Sequence, residues 1–102
     1  MAKVVDISDK LAFGENPEIV INGERMEVNA DAETVLRLMG TMSGPRTIDK
    51  VMDSLNLLFG ENNVKKICAM TDVYGRKLKV SSLMAILEQA VSLAMGGDSE
   101  GE

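Results

Sequence analysis

The sequence predicts an α+β fold: an N-terminal β-hairpin packed on a small bundle of about four helices. Three observations carry that prediction. Residues 18–28 alternate apolar and polar side chains around Asn22-Gly23. Beyond residue 31, apolar residues recur at helical spacing in successive segments separated by glycine or proline. The last of these segments, Leu83 to Met95, is apolar around more than one stripe, as a helix central to a core or carrying a second contact face would be.

The chain has 102 residues, 45% of them apolar and 26% charged, which suits one modest core. Residues 1–97 read as a single globular domain, and 98–102 as a disordered acidic tail without an apolar side chain. The tail carries three acids and no base. The body up to residue 97 holds 11 bases and 13 acids, so most of the net charge of −5 belongs to the tail.

Taken in order, residues 1–16 are ambiguous. Val4, Val5 and Ile7 are candidates for opening a short strand, and Gly14-Glu15-Asn16-Pro17 reads as a turn. Asn22-Gly23 is the preferred pair for a two-residue type I′ hairpin turn, since both residues tolerate positive φ. That turn sets Ile21 opposite Glu24, Val20 opposite Arg25 and Ile19 opposite Met26. Alternation then gathers Ile19, Ile21, Met26 and Val28 on one face. A lone two-stranded hairpin is marginal in water, so that face needs a cover.

Asn29 or Asp31 can cap the first helix. It runs through about Met39, with Ala32, Val35, Leu36 and Met39 apolar and Gly40 following. Thr41-Met42-Ser43-Gly44-Pro45 reads as a loop. Thr47 caps the strongest amphipathic segment, with Ile48, Val51, Met52, Leu55, Leu58 and Phe59 in one stripe and Gly60 as its stop. A short helix carrying Val64, Ile67 and Cys68 follows. Tyr74-Gly75-Arg76 breaks the pattern, and Ser81 or Ser82 caps the final helix, which ends before Gly96-Gly97.

Composition excludes several chemistries. With no histidine and one cysteine, there is no His-activated nucleophile, no imidazole ligand and no internal disulfide. The carboxylates are scattered on polar faces, and no glycine-rich loop joins a strand to a helix. The reading is therefore a non-enzyme, with no catalytic residue, no cofactor and no metal. A 3% aromatic content and an acidic balance argue against nucleic acid as a partner. The stretch 65–79 does hold five bases against Asp72, which reads as a solvated face or a docking surface for acidic groups. No segment has the length and apolarity to span a bilayer, and the N-terminus has no signal-peptide pattern. The expected location is cytoplasmic, with no membrane partner.

Two residues need their own reading. Asp53-Ser54-Leu55 matches the triplet at which acyl carrier proteins attach phosphopantetheine. Here, however, Met52 precedes it and it lies mid-helix, so Ser54 reads as a solvent-facing helix serine. Cys68 reads as a buried structural thiol in register with Val64 and Ile67. The eight methionines read mostly as core filling, and otherwise as an adaptable groove for another chain's helix.

Three segments carry a resemblance to a known family. They are Ile19-Val20-Ile21-Asn22-Gly23-Glu24, then Leu57-Leu58-Phe59-Gly60-Glu61 leading into Val64-Lys65-Lys66-Ile67, and finally Leu83-Met84-Ala85-Ile86-Leu87-Glu88-Gln89-Ala90 ending in Met95-Gly96. Over residues 18–97 the chain resembles the tail assembly chaperones of long-tailed (siphovirus-type) bacteriophages and prophages. The resemblance implies a protein of the host bacterial cytoplasm that coats the apolar, helical tape measure protein and keeps it soluble during tail morphogenesis. It also implies self-association in several copies. A longer form, made by ribosomal frameshifting, would recruit the tail tube protein. On this reading Leu83, Leu87, Val91 and Met95 form part of the partner surface. The competing class is a small regulatory or adaptor domain. A helix-turn-helix with Met42-Ser43-Gly44 as its turn would need a basic second helix, and that helix offers Lys50 against Asp49 and Asp53.

Overall fold

A computed structural model describes residues 2–96. The predicted acidic tail, 98–102, lies outside the described residues. Two antiparallel strands, β1 (Glu18–Ile21) and β2 (Glu24–Glu27), precede four helices: α1 (Ala32–Thr41), α2 (Ile48–Phe59), α3 (Glu61–Cys68) and α4 (Val80–Ala94). The architecture is the α+β arrangement expected, a hairpin followed by four helices.

The hairpin forms where the turn chemistry requires it. Asn22 and Gly23 have φ of 53° and 84°, the positive values a type I′ turn demands. The register pairs Ile19 with Met26, Val20 with Arg25 and Ile21 with Glu24, as the turn dictates. Ile21, Met26 and Val28 are buried and Ile19 packs beside them, whereas Val20 points to solvent.

The helices cover the hairpin's apolar face, and α2 is bonded to the segment that follows it. Leu55 and Leu58 are completely buried, and with Phe59 they join the hairpin's apolar residues in one core. The two layers are also stitched through the backbone. Asn29 donates from its amide to Leu58 O at 2.8 Å and from Nδ2 to Leu57 O at 3.1 Å. Carbonyls in the last turn of a helix have no partner within it, so Asn29 satisfies two of them. This explains why Asp31, and not Asn29, caps α1: Asp31 accepts from the Thr34 amide, while Asn29 is already committed.

Elsewhere the elements follow their sequence signals with local differences. Thr47 caps α2 by accepting from the Lys50 amide. Gly60 ends α2 with φ 85° and leads directly into α3. Helix α1 runs two residues past Met39, because Gly40 and Thr41 stay in the helical ladder and Met42 donates to Leu38 O. Helix α4 starts at Val80, before either serine expected to cap it. Lys79 occupies the cap position without a side-chain bond, and its carbonyl accepts from the amides of Ser82 and Leu83.

The predicted stripe of α2 is buried only in part. Ile48 is 82% exposed and Met52 39%, whereas Val51 packs against the core, so the buried face of α2 is narrower at its N-terminal end than the stripe. Ser54, expected to face solvent, is instead 1% exposed. It sits about 100° around the helix from Leu55, beside Leu87 of α4 and Met42. Cys68, expected to be buried, is exposed at the end of α3. Val64 and Ile67 take the inward face of that helix, and a further step of 100° carries Cys68 out of it.

Residues 2–15 lie outside the packed body. All of them are exposed, Val4, Val5 and Ile7 form no strand, and Ser8–Lys10 makes one 3-10 turn. The Cα radius of gyration, 16.6 Å, exceeds the ~13 Å of a compact chain this long, as an arm standing off the body requires.

Two stability outcomes follow. Gly23→Ala meets no neighbouring atom, so its cost is backbone strain at positive φ, about 1–2 kcal/mol, read as a lower urea midpoint with an unchanged slope. Leu58→Ala removes a fully buried side chain and costs about 2–5 kcal/mol in the same measurement.

Candidate functional site

Helix α4 presents its apolar residues in three bands. Leu87, Ala90 and Ala94 are buried and form the ridge that packs on α2. The two small alanines let the helices approach closely. On one side of this ridge Met84 and Val91 are half-buried and Met95 is 46% exposed. On the other side Ile86 and Leu93 are half-buried. The outermost strip is Ser81, Ala85, Glu88 and Ser92, all exposed.

The four residues expected to form a partner surface do not lie on one open face. Leu87 is 1% exposed and belongs to the core. Leu83 and Val91 are half-buried against that core, and Met95 is exposed. The reason is geometric: an i, i+4 row advances 400° per step, so it drifts 40° around the helix each time. Leu83 and Leu87 stay over the ridge, and by Met95 the row has rotated onto the rim. The residues that share that rim with Val91 and Met95 are Met84, at i−7 from Val91, and Glu88 between them. A helical-wheel count from the buried ridge finds this rim, whereas i, i+4 spacing alone does not.

A second feature lies at the opposite end of α4. The segment 70–79 folds back on itself through an antiparallel bridge between Thr71 and Lys77, a pairing the sequence reading missed. Asp72 holds this loop. Its Oδ1 accepts from the amides of Tyr74 and Arg76 at 2.8 and 3.0 Å, and its Oδ2 from Arg76 Nε at 2.7 Å. Gly75 makes the turn at φ 79°. The loop is pinned to the hairpin by Asn22 Nδ2, which donates to Thr71 O. Its tip displays Val73 and Tyr74, both exposed, with the Arg76 guanidinium 4.9 Å from the Tyr74 ring centre.

Beside this loop is an open groove of about 430 Å³. Buried Ile21 and half-buried Met70 and Leu78 form its apolar floor, and Arg76, Lys77 and Lys79 line its rim. Three of the five basic residues noted in the sequence therefore border a concave surface, and Asp72, paired with Arg76, borders it as well.

The other motifs resolve against chemistry. Attachment of a phosphopantetheine arm needs an accessible hydroxyl, and that of Ser54 is buried. On α2 the one base available to a nucleic-acid reader, Lys50, spends its ammonium on the carbonyl of Ser43 at 2.6 Å. Among the described residues no helix is long and apolar enough to cross a membrane. Comparison with models of protein families, with curated proteins and with solved structures finds no match.

Acid titration tests the loop. The Arg76 amide above all, then the Tyr74 amide and the Arg76 side chain, hold the Asp72 carboxyl below its ordinary value against a counteracting desolvation. A carboxylate depressed in the folded state stabilises above its ordinary pKa, and the effect is lost as pH falls through the lowered value. Tyr74 is the only tyrosine and there is no tryptophan, so intrinsic fluorescence reports this loop. It should change with a midpoint below the usual carboxylate range, and Asp72→Asn should remove that transition while far-UV circular dichroism stays constant.

Proposed function

We propose that the chain is a non-enzymatic tail assembly chaperone of a long-tailed phage or prophage, which binds apolar helical segments of the tape measure protein and keeps them soluble. The observation that supports this reading most is the rim of α4, where Met84, Val91 and Met95 line one side of a helix whose core side is already filled. Methionine side chains are flexible and polarizable, so a rim built from them adapts to the varied apolar faces of a long helical client. A client helix laid along such a rim is held through anchors spaced along one of its own faces. In this reading Leu87 supports the surface from beneath, and Leu83, Val91 and Met95 contribute their outer parts to it. The three sequence segments that resemble the family include α4 itself.

Co-expression with a tape measure protein of a long-tailed phage tests the proposal. The client's soluble fraction should rise in the presence of the chain. Val91→Asp combined with Met95→Asp should lower that fraction at least fivefold while circular dichroism shows the fold retained. A folded double variant that solubilises the client as well as the wild type contradicts the assignment of the surface. No gain in client solubility with the wild-type chain contradicts the function.

A further inference from the structure

The arm and the groove have complementary chemistry. Residues 2–15 carry Val4, Val5, Ile7, Leu11 and Phe13, which are 91%, 70%, 52%, 52% and 89% exposed. Single exposed apolar residues are ordinary on a protein surface. Five in one short segment, none packed on the body, are the kind of concentration that marks an interaction site. Between them stand Asp6, Asp9 and Lys10, and with Lys3 and Glu15 the arm holds three acids and two bases. Asp6 accepts from the amide and hydroxyl of Ser8 at 2.9 and 2.6 Å, which fixes a bend in the arm and keeps the carboxyl ionised below its ordinary pKa.

The groove beside the 70–79 loop offers the converse. Its floor is apolar at Ile21, Met70 and Leu78; of the charged residues that line it, Arg76 is paired with Asp72, and Lys77 and Lys79 supply the remaining positive charge. The apolar side chains of the arm match the floor, and Asp6 and Asp9 match Lys77 and Lys79.

We propose that the arm of one copy of this chain seats in the groove of a second copy, and that the exchange is reciprocal. The arm does not occupy its own groove. It leaves the body at Asn16 and Pro17, where three bonds direct its exit. Asn16 Nδ2 donates to Glu27, Asn16 Oδ1 accepts from the Ala30 amide, and the Pro17 carbonyl accepts from the Val28 amide. Each copy contributes its fourteen arm residues and the ten that line the groove. That falls within the roughly 20–30 residues per side of a stable interface, and reciprocity gives the closed twofold symmetry of most homodimers. The contact does not depend on the tape measure reading above.

Sedimentation equilibrium and disulfide trapping of the full-length chain test the exchange. At low salt the wild type should be a dimer. Asp6→Lys with Asp9→Lys should weaken the dimer at least tenfold, as should Lys77→Glu with Lys79→Glu. All four changes together should restore it, an outcome that mere loss of folding would not produce. In a Cys68→Ser background, Ile7→Cys with Lys77→Cys should give a disulfide-linked dimer on oxidation. A wild type that stays monomeric, a dimer indifferent to both charge reversals, or a disulfide formed only within one chain would each overturn the proposal.

Discussion

The structure depends on one constraint: the hairpin's apolar face must be covered, and the core it shares with the helices is the cover. Two four-residue strands cannot hold themselves together in water. Ile21, Met26 and Val28 are buried in one core with Leu55, Leu58 and Phe59 of α2, Val64 and Ile67 of α3 and Leu87 of α4. Asn29 then locks this layer contact by donating twice to the last turn of α2. Those bonds are favourable beyond their number, because they satisfy helix-end carbonyls that would otherwise be left without a protein partner. Helices α1, α3 and α4 all pack on α2 as well, so the same twelve-residue helix joins every layer of the body.

Concentrating the core on one helix leaves other apolar surface uncovered. The small body fills its interior with α2 and the inner ridge of α4. The Met84, Val91 and Met95 rim, the first turn of α2 and the arm remain outside or half outside. A chain of this size buries a smaller fraction of its surface than a larger domain does, but that scaling does not explain why the excess is grouped. The rim lies along one side of α4 and the arm forms a contiguous run, and grouping of that kind is what contact with another chain requires. The cations are grouped too, around the groove at the opposite end of α4 from Met95.

Much of this was legible in the sequence, and the parts that were not share a cause. The hairpin, its register, the cap at Thr47 and the stop at Gly60 are local, set by residues within a few positions of one another, whereas the choice of Asp31 over Asn29 as the cap of α1 turned on Asn29's bonds to α2. The hairpin's inward face followed from alternation. What failed depended on tertiary neighbours. Ser54 is polar and lies off the stripe, yet α4 approaches from that side and buries it. Cys68 sits four residues from Val64, but it is the last residue of α3, one step of 100° beyond Ile67, and lies outside the covered face. Ile48 continues the stripe of α2 yet is exposed, because at that end the core covers only the side where Val51 lies. The candidate surface on α4 was half legible: the right helix, but an i, i+4 row that winds from the core onto the rim. The 70–79 loop was invisible, because its bridge pairs Thr71 with Lys77 through a carboxylate hub that no strand pattern announces.

The account's central claim is that hairpin and helices form one cooperative unit fastened at the end of α2. Native-state amide hydrogen exchange tests it most directly, since protection reports the free energy needed to open each bond. The amides of Leu55, Leu58 and Asn29 should exchange at the same slow rate, set by global unfolding, while residues 2–15 exchange as an unprotected chain. An Asn29 amide that exchanges far faster than those of Leu55 and Leu58 would mean that the hairpin opens independently of α2, and would contradict the claim.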